Sequence, residues 1–238
     1  MKQLRLNAYL ARTGVCARRK AVRLIQEGKV LLNGQKAHPA SIVSPRDVVR
    51  VQDVIVRIPS VVVFLLYKPP GYICSERAQD AKPLARSLID CQKRLFSVGR
   101  LDYLSAGLLL FTNDGELAHA IAHPSMQIEK EYLLVSKNNI SQQMLQAYKK
   151  GVTIRRITYR MHRYKREGLH RVRIILTEGK NREIRKVCAH FSIAIHSIVR
   201  TRIAMLSLKH MREGHYRKIS PYELDLLKQH LYLKEIKK

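Results

Sequence analysis

Acidic residues are scarce in this 238-residue chain: 18 Asp and Glu stand against 45 Lys and Arg, a formal net charge of +27. Cysteine is scarce as well. The four thiols, Cys16, Cys74, Cys91 and Cys188, are scattered and form no Cys-x-x-Cys pair. That argues against a zinc site or a disulfide framework and for a reducing cytosol. No metal-ligating cluster and no glycine-rich nucleotide loop is present, so neither a metal nor a small-molecule cofactor is expected. No apolar run approaches the roughly 18 residues that a membrane span needs. Met1-Lys2-Gln3-Leu4-Arg5 leads into no uninterrupted apolar stretch, so no signal peptide is expected either. A strong amphipathic helix with aromatic anchors, the device of a membrane-surface protein, is also missing.

What is present is a core wrapped in cations. Hydrophobic residues make up 46% of the chain, so the charge is carried by a folded protein and does not signal disorder. The length suits one medium domain, or a small domain joined to a larger one. A charge of this size repels itself unless a polyanion meets it, and nucleic acid is the first candidate.

The cations are densest at the N-terminus. Residues 1–50 hold 11 Lys and Arg against Glu27 and Asp47. Leu4, Leu6 and Leu10, then Val22, Leu24 and Ile25, recur at roughly helical spacing. Gly14 separates the two helical stretches and Gly28 ends the second. Asn33-Gly34 is a hairpin turn signal after Val30-Leu31-Leu32. The second helix opens with Arg18, Arg19 and Lys20, and Arg23 lies one turn on from Arg19. A charge run is ordinarily a solvated face. The clustering and the near-absence of acids favour phosphate contact here, with Lys29 beside it.

Beyond a linker at about residues 55–62, short strands and short helices alternate. Val61 to Tyr67 is a buried-strand pattern stopped by Lys68-Pro69-Pro70-Gly71. Gly99-Arg100-Leu101-Asp102 forms a tight turn that runs through Ser105 and Gly107 into the apolar Leu108-Leu109-Leu110-Phe111. A helix from Glu116 to Ala122 is stopped by His123-Pro124, and Tyr132 to Val135 is another strand. Residues 171–176 are strand-like, and Ser220-Pro221-Tyr222-Glu223 is a helix start. The resulting expectation is an α+β protein: a small α+β domain over residues 1–58, then a larger domain over 59–238 on a mixed, largely antiparallel sheet.

Three pieces could carry chemistry. Asp102 is a carboxylate in an arginine-flanked turn. An extended backbone there puts Arg100 and Asp102 on the same side, within reach of a charge pair. Tyr132 is an aromatic hydroxyl opening a strand behind Lys130. Thr177-Glu178-Gly179-Lys180-Asn181-Arg182-Glu183-Ile184-Arg185 is a glycine turn leading into a basic helix. Each alone has an ordinary explanation, respectively a turn residue, a core aromatic and a solvated face.

Residues 3–50 resemble the alpha-L RNA-binding motif of a ribosomal small-subunit protein. They do so through Arg5 to Ala11, Gly14, Ala17-Arg18-Arg19, Ile25, Gly28-Lys29-Val30 and Asn33-Gly34. The rest resembles the RsuA family of ribosomal RNA pseudouridine synthases. The blocks that carry this are Leu66-Tyr67-Lys68-Pro69, Gly99-Arg100-Leu101-Asp102 with Ser105 and Gly107, and Thr112-Asn113-Asp114-Gly115. Lys130 with Tyr132, Glu178-Gly179 with Asn181-Arg182, Ile184-Arg185 and Arg200-Thr201-Arg202-Ile203 follow in the same order.

The resemblance implies isomerisation of one uridine in ribosomal RNA, with the base cut at N1, turned and rejoined through C5. It makes Asp102 the catalytic carboxylate, attacking either C1′ of the ribose or C6 of the base. Tyr132 becomes the tyrosine that stacks on the base, and Arg185 the cation paired with Asp102. A nucleophilic carboxylate must be ionised, and a guanidinium in reach can orient it. The target sits in stacked RNA, so the nucleotide must be flipped out, and an aromatic face gives it a stacking partner. The RNA-binding candidates are Arg18, Arg19, Lys20, Arg23, Lys29, Arg100, Lys180 and Arg182.

The Asn181 to Arg185 stretch looks closer to large-subunit enzymes. The alternatives are a small-subunit enzyme, or a non-catalytic RNA-binding or ribosome-assembly factor that would use the same basic segments. Asp102 separates these readings, because a pure binder gains nothing from a carboxylate among phosphate-binding groups. The expected partner is ribosomal RNA, naked or in an assembling subunit. The expected state is a cytoplasmic monomer with no membrane contact. Three positions depart from the family pattern: Tyr67 where Asn is more frequent, and Ser192 and Ala204 where Gly is usual.

Overall fold

Leu6 and Leu10, one helical turn apart, are fully buried, and so are Ala21 and Ile25 on the next helix to within 2%. These pairs dock α1 (Leu6–Thr13) and α2 (Arg18–Gln26) over a small sheet. Gly14 closes α1 in the left-handed conformation, φ 87°, which lets its N–H return to the Ala11 carbonyl. After β1 (Leu4–Arg5) and the helices come β2 (Val30–Leu32), β3 (Gln35–Lys36), β4 (Ile42–Val43), β5 (Val49–Val51) and β6 (Val54–Ile55). They pair in the order β3-β2-β5-β6, with β1 on β4. Asn33 and Gly34 both have positive φ, 52° and 85°, the hairpin turn their sequence predicts.

The computed structural model describes residues 3–75 and 81–236, so Met1 and Lys2 of the opening pentapeptide lie outside the described residues. The chain divides into two units. One is Met1–Val62 with Cys91–Arg94 and Asn113–Gly115; the other is Val63–Asp90, Leu95–Thr112 and Glu116–Lys238. Among the described residues no helix is long and apolar enough to cross a membrane.

The larger unit is built on a nine-stranded sheet. Its elements are β7 (Val63–Lys68), β8 (Phe96–Val98), β9 (Ala106–Thr112), α3 (Gly115–Ala122), β10 (Lys130–Ser136) and α4 (Gln142–Lys150). Then follow a separate hairpin of β11 (Val152–Ile154) and β12 (Ile157–Tyr159), and β13 (Arg163–Arg166), β14 (Arg171–Leu176) and α5 (Glu183–His190). The chain closes with β15 (Ile195–Ile203), β16 (Leu206–Ser207), β17 (Tyr216–Lys218) and α6 (Pro221–Ile236). The strand order is β13-β14-β10-β15-β9-β7-β17, with β16 on β15 and β8 on β9. Every pairing in this sheet is antiparallel except β15 with β9. The architecture is therefore the α+β one with a mixed, mostly antiparallel sheet. β9, Ala106 to Thr112, is buried at every position, as a central strand covered on both faces must be.

The parallel pair sets the geometry of the site. Gly107 lies opposite Arg200, and a Cβ on it would stand 2.4 Å from the Arg200 backbone. Only glycine lets β9 and β15 approach this closely. The strand pattern at Val61 to Tyr67 is found as β7, shifted to include Lys68, whose side chain is fully buried. Ser192 (φ 55°) and Ala204 (φ 50°), the two positions where the resemblance leads one to expect glycine, are both left-handed. The backbone keeps its turn there despite the side chains.

Candidate active site

Asp102 sits at the head of a turn, with the Ser105 N–H donating back to its carbonyl at 3.1 Å, just before β9. Buried Lys68 pins this turn. Its ammonium donates to the carbonyls of Ser105 and Pro69, each at 2.8 Å. Burial pulls the Lys68 pKa down to about 8, opposed by negative groups that include Asp102. A positive charge is thus spent on fixing the backbone that presents the carboxylate.

Arg185 reaches the same turn from α5. Its Nη2 donates to Ser105 Oγ at 3.1 Å and its Nε stands 3.7 Å from Oδ2 of Asp102. Burial draws the guanidinium below its ordinary range, and Asp102 opposes that shift. Buried Glu183 sets the start of α5. Its carboxylate accepts the Lys180 N–H at 3.0 Å and the Tyr148 hydroxyl at 3.0 Å, after Arg182 turns the chain through a left-handed φ of 52°. Burial raises the Glu183 carboxyl above its usual range, and those two hydrogen bonds work against it.

Tyr132 comes from β10, with only 8% of its surface exposed. Its cross-strand partner is Arg200 of β15, whose guanidinium carbon lies 5.9 Å from the ring centroid and whose Nη1 lies 3.4 Å from the hydroxyl. Arg200 Nε is held by the Leu108 carbonyl at 2.7 Å. Asp102, Tyr132 and Arg185 therefore share one cleft, lined also by Arg100, Lys130, Lys180, Arg182 and Arg200. A carboxylate, an aromatic face and a guanidinium converge there, a set able to combine a nucleophile, a stacking surface and a fixed positive charge.

One expected detail differs. Asp102 pairs with Arg185 rather than with Arg100, whose side chain is exposed. Arg185 reaches the carboxylate from α5, while Arg100 stays at the surface. Lys180 is anchored to the Thr158 carbonyl at 2.8 Å and to Glu178 at 3.0 Å. Arg18, Arg19, Lys20 and Arg23 are exposed on α2. Lys29 follows that helix, 2.8 Å from Glu27, a surface pair that leaves its charge available.

Two cleft residues, Lys130 and Arg200, and Lys68 buried behind the Asp102 turn were not among the site candidates read from the sequence. The order Lys130-x-Tyr132 carried a signal, since alternate strand residues share a face. Nothing local announces that Lys68 and Arg200 are buried.

The RNA pseudouridylate synthase family matches residues 62–190 and the S4 domain family residues 4–49. A protein of Borreliella burgdorferi named as an uncharacterized RNA pseudouridine synthase is 35% identical, over 97% of this chain and 96% of its own. The dual-specificity RNA pseudouridine synthase RluF of Escherichia coli is 34% identical, over 94% of this chain and 79% of its own. The ribosomal large subunit pseudouridine synthase B of Bacillus subtilis is 30% identical, over 94% and 95%. A crystal structure of a pseudouridylate synthase superposes with a TM-score of 0.69 at 25% identity, covering 94% of this chain and 99% of that one.

Proposed function

The chain belongs to the RNA pseudouridylate synthase family, with an S4 domain ahead of the catalytic domain, and from that premise we propose that it converts a uridine of large-subunit ribosomal RNA to pseudouridine. The ribosomal substrate is suggested by relatives such as the Bacillus subtilis large-subunit enzyme. We assign RNA gripping to residues 1–58 and the chemistry to residues 59–238.

The observation that carries the catalytic assignment is the Asp102–Arg185 arrangement, Oδ2 to Nε at 3.7 Å, in the cleft that Tyr132 also lines. Asp102 is the nucleophile, attacking C1′ of the flipped uridine. Arg185 orients it, since a guanidinium holds its charge at any working pH. Tyr132 offers its ring to the base. At the rim, exposed Arg100 and Arg182 meet phosphate oxygens.

The test is a map of pseudouridines in ribosomal RNA from cells with the protein, without it, and with Asp102→Asn only. A site present in the first and missing in the other two supports the reading. Identical maps would refute it, and a site kept with Asp102→Asn would remove Asp102 from its role.

A further inference from the structure

The cleft holds more buried positive charge than Asp102 neutralises. The chain entering β10 reads Glu129-Lys130-Glu131-Tyr132, and the acids and the other two residues turn to opposite sides. Glu129 is engaged by Arg163 at 2.9 Å and Arg202 at 3.1 Å, Glu131 by Arg173 at 2.9 Å and Thr201 at 2.6 Å. Lys130 and Tyr132 line the cleft instead. Among the described residues the Lys130 ammonium has one hydrogen-bond partner, the Ile128 carbonyl at 3.0 Å.

Arg200 adds the second cation. It is 2% exposed, and its Nη2 has no hydrogen-bond partner among the described residues. A buried donor left unpaired is costly, and an unpaired buried charge more so. Burial lowers the Lys130 pKa to about 8 and the Arg200 charge adds to that shift. Two cations in one cleft with so few partners are a binding site for negative charge.

The occupant can be read from depth. Phosphates stay with the RNA backbone at the rim, where Arg100 and Arg182 are exposed. The flipped base is the part that enters beside Tyr132. Lys and Arg are donors only, so they match the carbonyl oxygens of uracil and clash with the amino group of cytosine.

We propose that Lys130 and Arg200 hold the carbonyl oxygens of the flipped uracil and stabilise the negative charge it gains when it leaves the ribose. The inference rests on the pseudouridine synthase reading above. An Asp102 carboxylate oxygen bonds to C1′ as the N1–C1′ bond breaks, and that bond's electron pair goes to the base, spread over N1, O2 and O4. The base turns in the cleft under the two cations. C5 then bonds to C1′, the carboxylate leaves with its electron pair, and the C5 proton is lost while N1 gains one. Hydrogen bonds that strengthen as this charge develops accelerate the reaction far more than they tighten substrate binding.

The test compares the full-length protein with Lys130→Met and Lys130→Arg on ribosomal RNA fragments carrying uridine or 5-fluorouridine at the target. Fluorine withdraws electrons and stabilises the departing base by itself. Single-turnover loss of the N-linked nucleoside is read in nuclease digests, and RNA affinity is measured alongside. The expected result is a rate about 100-fold lower for Lys130→Met on uridine, with RNA affinity unchanged. That loss shrinks to under about 10-fold on 5-fluorouridine, and Lys130→Arg restores most of the rate. Equal losses on both substrates, or weaker RNA binding at an unchanged rate, would overturn the proposal. A wild-type protein that leaves uridine unconverted would overturn the functional reading beneath it.

Discussion

Nε of Arg185 stands 3.7 Å from Oδ2 of Asp102, beyond hydrogen-bond reach, while Nη2 of the same guanidinium is bonded to Ser105 Oγ at 3.1 Å. The arginine is therefore anchored on the turn and only leans on the carboxylate. Asp102, about one-third exposed, keeps its lone pairs for a substrate. A tight bidentate pair would have used them.

From that anchoring, Arg185→Lys is expected to lower turnover roughly 10- to 100-fold, because an ammonium cannot serve Ser105 and Asp102 together. RNA affinity and melting temperature should stay close to wild type. Single-turnover rates with a filter-binding control check it. An unchanged rate would show that charge alone, without the fork, is what Asp102 needs.

Lys68 yields a prediction in pH. Its folded pKa is about 8, below the unfolded value near 10.5. Between those values the unfolded chain binds more protons, so stability contributed by this residue rises with pH. Comparison with Lys68→Met isolates the effect from the falling net charge. The wild-type minus variant difference in unfolding free energy should grow by about 2 kcal/mol from pH 7.5 to pH 10, measured by urea titration. A difference that stays flat or narrows would mean that the ammonium is not buried at neutral pH.

Such burial is where reading from sequence stopped. Asp102, Tyr132 and Arg185 stand in segments with local signals: a glycine turn, an alternating strand and a glycine-led helix start. Their meeting in one cleft follows from strand order, which no local pattern carries; the resemblance supplied their roles alone. Lys68 reads as the residue that ends a strand, because its burial depends on carbonyls from a turn 35 to 37 residues on. Arg200 reads as one basic residue among several, because what buries it is the close parallel contact with β9 at Gly107. In place of an Arg100–Asp102 pair stands a long-range one, since Arg185 reaches the carboxylate from α5 while Arg100 is exposed.

Gly107→Ala should destabilise the catalytic domain by at least about 3 kcal/mol. The new methyl would meet the Arg200 nitrogen and oxygen at 2.4 Å, and φ is 115°. Both atoms are backbone, so a side-chain rotation cannot relieve the clash. Denaturant unfolding reads the cost. A variant as stable as wild type would mean that β9 and β15 can separate without loss.

Ser192→Gly should raise stability by about 0.5–1 kcal/mol, because a left-handed serine costs more than the backbone freedom that glycine gives up. Ser192 is exposed, so the side chain removed packs against little. Ala204 has nearly the same φ, 50°, but is 5% exposed and part of the core cluster. Removing its methyl offsets the relief, and Ala204→Gly should be near neutral. Thermal melts of the two variants side by side test the argument, and a destabilised Ser192→Gly would refute it.

For the α2 cations the prediction concerns binding rather than chemistry. Arg18, Arg19 and Arg23 are exposed on one short helix that begins at residue 18 and whose buried side carries Ala21 and Ile25. If they contact phosphates, replacing all three by alanine removes up to three released counterions, and the log-affinity against log-salt slope falls by about 2. Affinity should drop most at low salt, where that slope is expressed. Turnover at saturating RNA should not change, since no α2 residue lines the cleft. Affinity measured from 50 to 200 mM salt, with a saturated single-turnover rate beside it, separates the two effects. An unchanged slope would place the phosphate contacts elsewhere on the chain.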